Sequence, residues 1–118
     1  MSEEIVDLPD VMERVQNDKE LLLELFDIFQ EDFVKKRQAL AEAITAKDIG
    51  KVKELAHSLK GASGNISIKA MHAMCLQMEQ LAKSNTTTGM DDLLKGIDQK
   101  YEAFKNFAAN YKKESGAG

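Results

Sequence analysis

The chain has 118 residues, 43% of them hydrophobic and 31% charged, with a formal net charge of −4. That length fits one domain with a core large enough to stand without cross-links. One cysteine excludes an intrachain disulfide, and two histidines with it make too thin a set for a zinc framework.

After its single proline, Pro9, the chain contains no fixed helix breaker, and its apolar residues recur at spacings of three and four. An all-α domain is predicted. A short first helix should start near Pro9, with Val11, Met12 and Val15 inward. Asn17 and Glu20 have the spacing of a capping box and should open a second helix over about 18–46. Its inward stripe would be Leu22, Leu25, Phe26, Phe29, Phe33, Leu40 and Ile44. Asp48 is the expected N-cap of a third helix running to about Asn65. Ser67 is the expected cap of a fourth, with Ile68, Met71, Cys75, Met78 and Ala82 on one face. Residues 84–89 read as a loop, followed by a fifth helix from Met90 to about Tyr111. Residues 1–113 form the predicted domain, and 114–118 should be a frayed tail. Short connections between four long helices imply an antiparallel up-down-up-down bundle with a short extra N-terminal helix.

The third helix breaks the pattern. At ~100° per residue, Val52, Leu55, Leu59, Ala62 and Ile66 gather within ~40° of one direction, and His57 points to the opposite side. Gly50, Lys53, Glu54, Lys60, Gly61 and Gly64 lie within ~60° of His57. A glycine inside a helix costs about 0.8–1 kcal/mol relative to alanine, so two within one turn need a reason. Facing away from the apolar stripe, Gly61 and Gly64 are read as keeping the imidazole accessible. A neutral imidazole is a nucleophile, and an exposed one can attack a phosphoryl group brought by another protein. Lys60, at i+3, would steady the added negative charge. No acid–base partner is evident nearby, so the site reads as an acceptor and donor of phosphoryl groups, without catalytic machinery of its own.

The segment His57-Ser58-Leu59-Lys60-Gly61-Ala62-Ser63-Gly64-Asn65-Ile66 closely resembles the signature of histidine-containing phosphotransfer (HPt) domains. Similarity extends to Leu25–Phe29, the Ala46-Lys47-Asp48 turn and Cys75–Glu79, and so covers about Ile5 to Tyr111. The resemblance implies that His57 accepts the phosphoryl group, Lys60 helps hold it and Gly61 opens the imidazole. Gly64 and Ser63 stand where the family prefers small residues. It further implies that Glu79 orients the histidine. Ser67 stands where the family usually has glycine, a change expected to alter the turn without abolishing function. Family members shuttle phosphoryl groups between receiver-domain aspartates. The implied partners are therefore response-regulator receivers and hybrid histidine kinases, with Mg²⁺ in the receiver and no cofactor here. The other readings are an adaptor that docks receivers without being phosphorylated, and the phosphoacceptor domain of a larger kinase. The starting methionine and compact length favour a free-standing protein.

The remaining features read as structural. His72 and Cys75 stand at i, i+3, but Cys75 lies on the core stripe and two ligands make no metal site. Leu21, Leu23, Ile28, Val34 and Leu76 fall off the stripes; they either fill gaps against the first helix or supply a docking patch beside His57. The Lys35-Lys36-Arg37 and Lys112-Lys113 runs are too short for nucleic-acid binding, which the acidic balance also disfavours. No apolar run nears the ~20 residues of a membrane span, and the Met-Ser-Glu-Glu start is unlike a signal peptide. The expectation is a cytoplasmic monomer.

Overall fold

The computed structural model describes residues 5–114 and 116. Five helices occur in the order α1 (Leu8–Arg14), α2 (Lys19–Thr45), α3 (Ile49–Asn65), α4 (Lys69–Lys83) and α5 (Met90–Glu114). α2 to α5 form the bundle, α2 packing on α3 and α5, and α4 on α3 and α5, while α1 rests on α2. The expected all-helical bundle and the short extra helix are both present. The core is formed by the large apolar residues of the predicted stripes, including Leu22, Phe26, Phe33, Leu40, Leu59, Met71, Met78 and Phe104. Aromatic rings seal the seam between α2 and α5: Phe33 stacks on Tyr101 with centroids 4.0 Å apart, and Phe26 meets Phe104 edge-on at 5.1 Å. Such pairs contribute about 0.5–1.5 kcal/mol each beyond the area they bury. On the same seam Arg37 donates to both carboxylate oxygens of Asp98 at 2.9 and 2.8 Å. The basic run is thus partly structural, and not wholly a solvated surface.

The helices run close to their expected bounds, and Asp48 caps α3 as predicted, its carboxylate accepting from the Lys51 amide at 3.2 Å; what differs is the geometry of the turns. α1, α2, α3 and α4 each finish in a Schellman turn whose left-handed residue is not glycine: Gln16, Lys47, Ser67 and Asn85, with φ between 55° and 59°. In α3 the Ser67 amide donates to the Gly64 carbonyl and the Ile68 amide to that of Ser63, which satisfies carbonyls that a helix end otherwise orphans. Two predicted caps fall to this geometry. Asn17, at φ 62°, belongs to the turn that ends α1, and the N-cap of α2 is Asp18, whose carboxylate accepts from the Leu21 amide. Ser67 does not cap α4; Ile68 holds that position without a side-chain bond. The Ser67 hydroxyl instead donates to Asp10 at 2.6 Å, while its carbonyl accepts from the Asp7 amide at 3.0 Å. α1 is therefore pinned to the α3–α4 turn, and Lys69 adds an ion pair to Asp7 at 2.7 Å. The α5 helix continues past Tyr111 to Glu114, one residue into the predicted tail. Ser115, Ala117 and Gly118 lie outside the described residues.

Candidate functional site

The buried residues of α3 are Val52, Ala56, Leu59 and Ser63, with Ile66 at its end; Leu55 and Ala62, predicted for the core, are only half-buried. On a wheel of ~100° per residue this turns the core direction by about 40° from the predicted one. The small Ala56 and Ser63 are buried in place of Leu55 and Ala62, and the pairing of α3 with α4 is the most extensive in the bundle. The Ser63 hydroxyl is satisfied within its own helix by the Leu59 and Lys60 carbonyls. The turn carries His57 and Lys60 toward α4.

There they meet Glu79. The Glu79 side chain is only 5% exposed, against 67% for His57 and 22% for Lys60. One carboxylate oxygen accepts from Lys60 Nζ at 2.7 Å, and the other lies 2.9 Å from His57 Nδ1. The Lys60 hydrogen bond chiefly, and the His57 one after it, hold the Glu79 carboxyl below the usual carboxylate range against the opposing effect of burial. Glu79 is therefore an acceptor, so Nδ1 must carry the proton. A neutral imidazole protonated at Nδ1 leaves its lone pair on Nε2. The expected orienting role of Glu79 has a geometric basis here. Lys60, expected to reach for the phosphoryl group, is engaged by Glu79.

The two glycines of the His57 face differ. A Cβ on Gly61 would meet nothing within 4 Å, so no packing requirement explains its absence and the space beside the imidazole stays open. A Cβ on Gly64 would lie 3.0 Å from Nδ1 of His72. Gly64 thus admits the His72 ring, whose Nδ1 donates to the Lys60 carbonyl at 2.9 Å, and packing accounts for it. His72, noted in the sequence only for its spacing from Cys75, ties α4 to α3 at the Lys60 carbonyl. Cys75 is fully buried, its thiol pushed up to about 12 by burial, and no cluster of three metal-ligating side chains forms among the described residues. An open hollow of about 600 Å³ lies in front of His57, lined also by Gly50, Lys53, Glu54, Glu79 and Lys83. Lys83 escaped sequence reasoning, although its spacing from Glu79, one helical turn, was a usable signal. Leu21, Ile28, Val34 and Leu76 are exposed, whereas Leu23 packs partly on the core.

A helical bundle with one exposed, carboxylate-anchored histidine defines a class of protein: a carrier that offers a single imidazole to a partner. The comparisons make that class specific. The Hpt domain family model matches residues 24–107, and the chain belongs to that family. Its role is histidine phosphotransfer within a phosphorelay. The crystal structure of histidine-containing phosphotransfer protein B (HptB) from Pseudomonas aeruginosa PAO1 superposes with a TM-score of 0.86, covering 96% of this chain and 98% of that one. The two share 21% sequence identity, so the likeness is one of fold. No curated protein sequence matches the chain. Hpt proteins are phosphocarriers that work with the receiver domains and kinases of two-component systems. Among the described residues no helix is long and apolar enough to cross a membrane.

Proposed function

We propose that His57 Nε2 is the phosphoryl acceptor, taking the group from a receiver-domain aspartate or a kinase and passing it to another receiver. One observation carries the reading: buried Glu79 fixes the His57 proton on Nδ1 and leaves Nε2 facing solvent. In the forward step the Nε2 lone pair attacks phosphorus as the P–O bond to the donor aspartate breaks, and the aspartate departs as a carboxylate. Nδ1 keeps its proton, so the phosphorylated ring is cationic, and the Glu79 carboxylate stabilises that charge. In the reverse step the cationic ring is a good leaving group when the next aspartate attacks. Any Mg²⁺ is supplied by the receiver, and catalysis rests on positioning and electrostatics. The carrier acts as a monomer in the cytoplasm.

Incubation with a phosphorylated receiver tests this. His57→Gln is expected to abolish acid-labile labelling while its helical circular dichroism is unchanged; labelling retained in that variant defeats the assignment. The same result separates the carrier from an adaptor that merely docks receivers.

A further inference from the structure

The phosphoryl group must be met by positive charge, and the lysine of the signature is already engaged. Lys60 Nζ is held 2.7 Å from Glu79, on a side chain only 22% exposed, and Lys60 does not line the hollow into which His57 opens. Two other lysines do. Lys53 lies one turn before His57 on α3, and Lys83 lies one turn after Glu79 on α4. Both are exposed, and neither makes a hydrogen bond or ion pair among the described residues. Gly50 borders the same hollow, and a Cβ there would come no closer than 3.9 Å to Asp48. The opening is thus not closed by packing at its α3 end.

We infer that Lys53 and Lys83 form a two-helix clamp that receives the phosphoryl group on His57, while Lys60 acts behind the ring by fixing Glu79. The inference deepens the proposed role of His57 and rests on it. The charges around the hollow support the division. Glu79 and Lys60 neutralise each other, Glu54 contributes one negative charge to the rim, and Lys53 and Lys83 contribute two positive ones. A dianionic phosphoryl group therefore meets a net positive rim drawn from α3 and α4. Side chains on flexible four-carbon stems can close on the group after transfer and yield it to the next receiver, whereas Lys60 would have to leave its part-buried ion pair with Glu79 to do so.

The test removes partner proteins. Potassium phosphoramidate, a small anionic donor, phosphorylates histidine directly: the Nε2–P bond forms, the donor P–N bond breaks, and ammonia leaves. The 118-residue chain is treated at low ionic strength, and labelling is followed by ³¹P NMR. Lys53→Gln and Lys83→Gln should each slow labelling about threefold, and the double variant about tenfold, the size expected for removing charges a few ångströms from a partly solvated anion. The double variant should also lose most of the parent's salt dependence. Lys35→Gln/Lys95→Gln, which changes net charge equally at exposed positions on α2 and α5, should label like the parent. His57 remains the acceptor throughout if His57→Gln is unlabelled. With that control satisfied, parental labelling of the Lys53/Lys83 double variant overturns the clamp alone, as does equal slowing in the Lys35/Lys95 variant. Labelling of His57→Gln overturns the acceptor assignment and the clamp together.

Discussion

The molecule holds its two histidines in the same way and uses them differently. His57 and His72 each place Nδ1 2.9 Å from an acceptor on the facing helix. For His57 the acceptor is a buried carboxylate and the rest of the ring stands in solvent. For His72 it is a backbone carbonyl, and the ring is half-buried against Gly64. A carboxylate can stabilise a cationic ring; a neutral carbonyl offers far less. Anchoring a histidine is thus not enough to make it a carrier. The anchor must bear charge, and the second nitrogen must be free to a partner.

The comparison breaks most sharply at Glu79. Glu79→Leu should slow transfer from a receiver on the order of tenfold, since an orienting partner of a reactive imidazole commonly has that weight. It should also lower stability by about 2 kcal/mol in urea titration, because Lys60 is left without its charge partner in a half-buried place. Glu79→Gln keeps an acceptor toward Nδ1 and should restore part of the rate. His72→Leu, by contrast, should leave the rate near the parent's and lower stability by about 1 kcal/mol, the worth of one hydrogen bond. A large rate loss in His72→Leu would erase the distinction between the two rings.

The glycines give a finer version of the same contrast. Gly61→Ala should stabilise the chain by about 0.8 kcal/mol through helix propensity alone, as its Cβ meets open space. Gly64→Ala should come out about 1 kcal/mol less favourable than Gly61→Ala, since the new methyl displaces His72 from the Lys60 carbonyl. Paired thermal melts would show it. Gly61→Leu should slow receiver-dependent transfer while the Ala variant stays close to the parent, which separates access from stability.

The smallest effect is electrostatic. Glu79 has a lowered folded pKa, so the stability it contributes is present above the ordinary carboxylate range. It is lost as pH falls through the lower folded value. Between those two limits the parent's acid-induced loss should be steeper than that of Glu79→Gln, as followed by urea midpoints.

Large apolar side chains made most of the fold legible in the sequence, because Leu22, Phe26, Phe33 and Met78 show the helical period directly. His57 was legible too, since two unexplained glycines marked its face. What stayed hidden depended on small residues and on partners distant in sequence. Ala56 and Ser63 carry little hydrophobic signal, yet they are buried, and with them the core direction of α3 lies about 40° from the predicted one. Lys60 and Gly64 looked solvent-directed for the same reason. The helix bounds were legible, but the turn geometry that displaced Asn17 and Ser67 as caps was not, because left-handed turns are signalled by glycine and Gln16, Lys47, Ser67 and Asn85 adopt the conformation without it.

The pinning of α1 has a consequence for how the molecule opens. Asp7 and Asp10 are held by the backbone and hydroxyl of Ser67 and by Lys69. The beginning of the chain is thereby fastened to its middle, directly after the helix that bears His57. α1 and the 66–68 turn are expected to open as one unit, which hydrogen exchange would show as common protection of their amides. Loosening of α1 should therefore be felt at the C-terminal end of α3 before it reaches the rest of the bundle.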